Sequence, residues 1–250
     1  MLLRENQKLR IMDRTVITVD GLAGTGKTSL SKELARRLGF VHLSTGMLYR
    51  AVGYLALTTQ TSMEDEPAIA DLLSKHTLAL VCDDSDSARL LLDGKDVVDA
   101  LYAPEVSEAT SKTAQLAAVR EALIEPQREA FPGRPLVAEG RDMGSVIFPD
   151  AQVKFFVSVP EEVKVERRLA QLIEAGHGKS ENERNLLKEK MKIEIHERDV
   201  RDAERNLAPT LQTEDMEVVD NSSQPLEKVV QNMYNLVTAR GIHPCQETVV

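Results

Sequence analysis

The sequence predicts an α/β fold: a doubly wound parallel sheet of five strands, flanked by helices and interrupted by a small inserted unit. Three observations predict it. Short β-branched and apolar runs alternate with stretches whose apolar residues recur at helical spacing, the pattern of parallel strands joined by helices. The first strand runs into a glycine-rich loop that opens a helix. Residues 62–103 depart from the alternation and read as strand, turn, strand.

Thr15-Val16-Ile17-Thr18-Val19 is short and β-branched, a buried strand. Residues 27–38 carry Leu30, Leu34 and Leu38 at helical spacing, and Gly39 stops that helix. Phe40 to Leu43 reads as a second strand. Met47 to about Leu57 reads as a helix, with Ser44 or Thr45 as its candidate N-cap. In the inserted unit, His76 to Val81 and Arg89 to Leu92 read as strands, and Asp93-Gly94 as a turn. Residues 104–130 return to helix, with Pro104 suited to the first position and Pro126 expected to kink or break it.

Leu136-Val137-Ala138 and Val153 to Val159 are further buried strands. Residues 161–174 are helical, with Glu161 and Glu162 in the favourable first turn. Ala175 to Ser180 is a glycine-bearing loop, expected to be mobile, and 183–205 a long charged helix. Met216 to Val219 is the last strand. Residues 225–240 form the last helix, with Leu226, Val229, Val230, Met233 and Val237 on one face and Gly241 at its end. The expected division is a core of 15–62 and 104–240, an insertion of 63–103, a lid loop of 174–186, and unassigned tails at 1–12 and 241–250. Ligands of such sheets bind beyond the carboxyl ends of the strands. Chemistry is therefore expected in the loops after Val19, Leu43, Ala138 and Val159.

Composition removes several classes. Apolar residues make up 42% of the 250, with only 13 Gly and 10 Pro, which excludes global disorder and collagen. With 31 basic and 40 acidic residues the net charge is −9. Such a surface repels nucleic-acid phosphates and anionic lipid, so neither is an expected partner. A pocket of local arginines can still take a phosphate. No apolar run approaches the ~18 residues of a membrane span. Residues 1–14 lack the apolar core of an export signal. Cys82 and Cys245 form neither a disulfide framework nor a zinc set. A reducing cytoplasm is the expected location.

Gly21-Leu22-Ala23-Gly24-Thr25-Gly26-Lys27-Thr28, followed by Ser29, is GxxxxGK[ST] in full, between a predicted strand and a predicted helix. That context makes it a Walker A loop. Its glycines let backbone N–H groups converge on phosphate oxygens, and the helix N-terminus adds its positive end. Lys27 can reach the β and γ phosphates of a nucleoside triphosphate, and Thr28 can bind Mg²⁺ through its hydroxyl. No NKxD motif follows, which leaves a guanine-reading switch unsupported. Glu139 closes a strand, where an acid can hold the metal's water shell. Taken alone it is equally a solvated strand-end acid.

Gly140-Arg141-Asp142-Met143-Gly144 follows that strand. Arg suits a bidentate grip on phosphate, and Asp142 can accept from an amino group on a base. Arg198, Arg201, Asp202 and Arg205 fall on one face of the long helix. By itself that face is a salt-bridge-laced, solvated one. It gains weight by following a flexible loop, as in a closing lid. Thr45 and Arg50 lie in Thr45-Gly46-Met47-Leu48-Tyr49-Arg50. Thr45 is also a plain N-cap, Arg120 a plain surface charge, and Ser111 has little claim alone.

These pieces together resemble the bacterial cytidylate kinases, which move the γ-phosphate of ATP to cytidine monophosphate. The phosphate loop, TGxxYR at 45–50, Val119-Arg120-Glu121-Ala122-Leu123, GRDMG at 140–144 with Phe148-Pro149-Asp150-Ala151, and Arg198-Asp199 through Arg205 carry the likeness, from about 15 to 220. The resemblance implies a nucleoside monophosphate kinase fold, with an acceptor-binding insertion holding a small antiparallel sheet, and a lid. It implies ATP and Mg²⁺, with CMP and dCMP as acceptors and UMP poorer, and a monomer acting on small molecules. It implies that Arg50, Arg141 and Arg205 grip the acceptor phosphate. Asp142, Ser111 and Arg120 would read cytosine, Arg198 and Asp202 would face the sugar, and Thr45 would line the same site. Arg167 and Arg168 match arginines lining the triphosphate. Lys27, Arg141 and Arg205 would be catalytic, with Thr28 and, through water, Glu139 at the metal. Glu139 stands where Asp is common. Val163 stands where Arg is common, so the likeness implies that this chain lacks one lid-side arginine. Three alternatives stay open: a kinase for UMP, AMP or shikimate, a slow ATP-hydrolysing regulatory module, and an inactive binding relative.

Overall fold

The structure, a computed structural model, describes residues 14–174, 176–204 and 207–245. Its centre is a five-stranded sheet of β1 (Val16–Asp20), β2 (Val41–Ser44), β6 (Leu136–Gly140), β7 (Val153–Ser158) and β8 (Glu217–Asp220). The order is β2-β6-β1-β7-β8, and every pairing is parallel. Side chains alternate across a strand, so each strand serves two faces. Val16, Val41, Leu43, Leu136 and Ala138 face one core. Ile17, Val19, Val137, Val153, Phe155 and Val157 face the other. A sheet buried on both faces explains why these strands read as continuous apolar runs.

Helix α1 (Lys27–Leu38) covers the second face with α8 (Leu226–Ala239). It buries Leu30, Leu34 and Leu38, the stripe its sequence predicted, together with Ala35, and ends on Gly39 in the left-handed region. Each fully buried Leu contributes about 2 kcal/mol of transfer free energy. The opposite face is covered by α2 (Gly46–Thr58), α3 (Glu66–Lys75) and α5 (Ala117–Arg128). The small antiparallel sheet β3 (Leu78–Cys82), β4 (Ala88–Leu92) and β5 (Lys95–Asp96) packs into that same core through Leu90 and Leu92.

The structure corrects several expectations. Residues 62–103 are not strands alone, because α3 precedes the hairpin. Asp65 caps it, accepting from the Ala68 N–H at 3.0 Å, with a proline in its first turn. Asp65-Glu66-Pro67 is a helix-start signature legible in the sequence. Residues 104–130 form two helices, α4 (Pro104–Thr113) and α5, and the break falls near Ala114–Leu116 rather than at Pro126. Pro126 sits inside α5 near its end; its missing N–H forgoes one bond, to the Ala122 carbonyl, and the helix runs on to Arg128. Met143–Ile147 is a π-helical turn, with both Val146 and Ile147 donating to the Asp142 carbonyl. Beyond α6 (Glu161–Glu174), α7 spans Glu181–Glu204. Its start is a reciprocal capping box: Glu183 accepts from Lys179 and Ser180, and Ser180 Oγ accepts from Glu183 N–H. Part of the C-terminal tail is docked, as Cys245 N–H donates to the Leu38 carbonyl at 2.8 Å. The N-terminal tail lies outside the described residues.

Candidate active site

All five parallel strands send residues to one end of the sheet. The turn after β1 can pass close to β7 only because residue 21 is glycine: a Cβ there would stand 2.5 Å from the Val157 carbonyl. Gly26 takes φ 82 at the start of α1, a conformation that glycine adopts without strain. The loop is tied to itself and to its neighbours. Thr25 Oγ1 and Lys27 Nζ both donate to the Leu22 carbonyl. Asn221, just past β8, donates to the Thr25 carbonyl at 2.8 Å, and Arg167 donates to the Asn221 carbonyl. Ala23 and Gly24 form the outer tip of the loop, and the methylene stem of Lys164 lies against Gly24. The Lys164 ammonium pairs with Asp199 of α7.

Glu139 is not a solvated acid. It is 4% exposed and accepts from Thr28 Oγ1 at 2.8 Å and from Ser44 Oγ at 2.5 Å. Thr45 is the residue before α2, yet its hydroxyl does not cap the helix. It donates to the Glu139 carbonyl at 2.9 Å, stitching β2 to β6. Asp20 is fully buried and holds the turn after β6 by accepting from Met143 and Gly144 N–H, both at 2.8 Å. Burial raises its pKa to about 6, against the lowering effect of those two bonds.

A cavity of about 210 Å³ opens beside the loop. Lys27 and Thr28 line one side, and Arg50, Arg120, Arg141, Asp142, Arg198 and Asp202 much of the rest. Thr45 and Ser111 line it as well. Arg120 and Asp142, distant in sequence, form a buried ion pair at 2.5 Å. Arg141 reaches both ways, donating to Asp202 at 2.8 Å and to the Gly21 carbonyl at 2.8 Å. So many cations in one pocket disfavour their own charge. Burial first, and then the Arg141 cation, push the Lys27 ammonium down to about 7. The same causes push Arg198 down to about 10. Burial lowers Arg50 too. A bound polyanion relieves this tension by favouring the charged forms.

Not every expected residue is brought together. Ser29 lies in a separate cleft, with Lys32 and His42. Arg167 lies outside that cavity, against Gly26 and the Thr25 and Asn221 carbonyls. Arg168 is exposed and donates to Gln171 on its own helix. Arg205 lies outside the described residues. Next to Val163, where the likeness implies a missing arginine, Lys164 supplies a cation that is 4% exposed. Sequence reasoning missed Asp20, Ser44, Lys164 and Asn221. Asn221 stands at the carboxyl end of a strand, where the rule for open sheets directs attention. Thr28, Ser44 and Glu139 form an all-oxygen donor set of the kind that suits a hard divalent cation. Among the described residues no three His, Cys, Asp or Glu side chains cluster as a metal site. No helix there is long and apolar enough to cross a membrane.

Comparison with known proteins agrees with this geometry. A family model described as cytidylate kinase matches residues 17–239. The cytidylate kinase of Pelotomaculum thermopropionicum is 37% identical over 223 residues, covering 89% of this chain and 96% of that one. The cytidylate kinase of Pasteurella multocida is 38% identical over 218 residues, covering 87% and 92%. That of Carboxydothermus hydrogenoformans is 35% identical over 221 residues, covering 88% and 96%. With its phosphate loop, its arginine-lined cavity and a match along most of its length, the chain belongs to the cytidylate kinase family.

Proposed function

We propose that this chain transfers the γ-phosphate of ATP to CMP and dCMP, yielding ADP and the corresponding diphosphates. The observation that carries this reading is the single cavity shared by Lys27 of the phosphate loop and the Arg120–Asp142 pair. A phosphate donor and a base-bearing acceptor are thereby served from one space. An acceptor phosphate oxygen attacks the γ-phosphorus in line, and the bond from that phosphorus to the β-γ bridging oxygen breaks. No side chain forms a covalent intermediate. Lys27, Arg141 and Arg205 neutralise charge on the transferred group, and catalysis is positioning plus electrostatics. Arg50 joins Arg141 and Arg205 on the acceptor phosphate. Asp142, held by Arg120, accepts from the cytosine amino group, with Ser111 lining the same cavity. Arg198 and Asp202 face the sugar, with Thr45 in the same wall.

The loop from Gly21 to Thr28 holds the triphosphate, with Arg167 tied to the Thr25 and Asn221 carbonyls beside it. Thr28, and Glu139 through water, would hold Mg²⁺, which when bound offsets phosphate charge. Residues 15–62 and 104–240 act as the core, 63–103 as the acceptor-side unit and 174–186 as a lid whose closure excludes water. The chain acts as a monomer in the cytoplasm, on small nucleotides rather than nucleic acid. The test is ADP release from Mg-ATP with CMP, dCMP, UMP, AMP or shikimate added singly. Strong stimulation by CMP and dCMP alone is expected. Stimulation by another acceptor overturns the roles of Asp142, Ser111 and Arg120, and stimulation by none overturns the activity.

A further inference from the structure

Arg50 leaves α2 and crosses to the 3₁₀ turn Val98–Tyr102, which joins the small sheet to α4. One nitrogen, Nη1, donates to the Leu101 carbonyl at 2.9 Å and to Ser107 Oγ at 3.1 Å. A guanidinium anchored at a single nitrogen can still swing about that anchor. Against it lies Tyr102, whose ring centroid is 4.9 Å from the guanidinium carbon. Tyr102 is 56% exposed and lines the cavity. Its ring is therefore not a core side chain. It presents an aromatic face to a cation, an attraction that strengthens as water is excluded. Nε and Nη2 of Arg50 make no hydrogen bond among the described residues, which leaves that edge available to a ligand oxygen.

We propose that Tyr102 is a positioning residue for the acceptor phosphate: its ring face fixes the Arg50 guanidinium so that the Nε–Nη2 edge meets the phosphate of the incoming nucleotide as a bidentate fork. The inference rests on the reading of Arg50 as a phosphate ligand. It adds a residue that acts only through Arg50 and touches no reacting atom. A planar fork already set in place loses less freedom on binding than one that must be ordered.

The test is calorimetric titration of the full chain with CMP and with cytidine, which keeps base and sugar but lacks the phosphate. Tyr102→Leu is expected to weaken CMP about 3- to 10-fold, the range of a partly desolvated cation–π contact, and to leave cytidine unchanged. Tyr102→Phe, which keeps the ring face, is expected to hold the wild-type affinity for CMP. In an Arg50→Ala background, Tyr102→Leu is expected to add nothing. Wild-type CMP affinity in Tyr102→Leu overturns the proposal, as does an equal loss for cytidine or a Tyr102→Phe as weak as Tyr102→Leu. If Arg50→Ala itself binds CMP like the wild type, the underlying reading of Arg50 fails. If Arg50→Ala is weakened and Tyr102→Leu is not, only the role of Tyr102 fails. ATP affinity measured on the same samples checks that each variant is folded, and the exposure of Tyr102 keeps its replacement from disturbing a core.

Discussion

Helices α1 and α7 both border the cavity, and they are held by opposite means. The 12 residues of α1 bury Leu30, Ser31, Leu34, Ala35 and Leu38 against the sheet and α8. The 24 residues of α7 bury Met191 alone. Its placement rests on polar contacts: ion pairs of Asp199 with Lys164, Asp202 with Arg141 and Lys188 with Glu166, and a hydrogen bond between His196 and Glu161. Apolar burial is non-directional and indifferent to ligand, so it suits a scaffold for a phosphate loop. Ion pairs can be exchanged for contacts to a charged ligand. Two of the cations holding α7, Arg141 and Lys164, stand beside the phosphate loop, where phosphate oxygens would compete for them. The scaffold is packed, whereas α7 is held largely by charged side chains.

The comparison can be broken most severely at Arg141, which joins the two regions. Arg141→Ala is expected to lower kcat/KM for CMP about 10²- to 10³-fold, the size of a lost electrostatic stabiliser of developing charge. Near wild-type kcat/KM removes Arg141 from the mechanism. Next is the packed side. Leu34→Ala is expected to destabilise the protein by about 2–5 kcal/mol in denaturant titration, and a destabilisation under about 1 kcal/mol contradicts the scaffold role of α1. On the other side, Leu186→Ala on α7 is expected to stay within about 0.5 kcal/mol, because that side chain is 74% exposed.

The pH dependence sharpens the electrostatic half. With the Lys27 pKa near 7 in the folded protein, the free site is largely deprotonated at pH 8. Bound phosphates raise that pKa, so ATP binding at pH 8 takes up a proton, up to one per nucleotide. Below about pH 6 the uptake vanishes because the site is already charged. Calorimetry in buffers of different ionisation enthalpy reads this directly, and a buffer-independent heat at pH 8 refutes it. The same shift acts on stability. The unfolded chain binds this proton more tightly, so the contribution of Lys27 falls as pH drops from about 10.5 to 7. The smallest effect is expected from salt. At 1 M the Debye length is about 3 Å, so amide exchange in α7 is expected to quicken relative to α1. Equal response of the two helices undoes the comparison.

Much of the fold is legible in the chain because it is local. A glycine-rich turn between strand and helix states its own backbone geometry, and the sequence limits of α1, α6 and the covered strands fall within a few residues of the observed ones. The inserted unit is less legible. Its helix α3 has a short apolar face, which gives little periodicity to read despite the Asp65 cap. The break between α4 and α5 lies where no proline marks it. At the site, single motifs name Arg120 and Asp142 but do not say that they pair.

The sequence by itself determined the phosphate loop, the alternation of strands with helices, and the types of residue gathered after each strand. These follow from backbone torsion and the periodicity of side chains, which neighbouring residues decide between them. Only the tertiary structure decided that β6 lies between β1 and β2. That placement sets Glu139 beside Thr28 and Ser44, and Asp142 beside Arg120. It was also the fold that laid Asn221 over the phosphate loop and Tyr102 over Arg50. Such contacts join residues from about 20 to nearly 200 positions apart. They depend on strand order and on which faces pack, and no local preference of the chain encodes either.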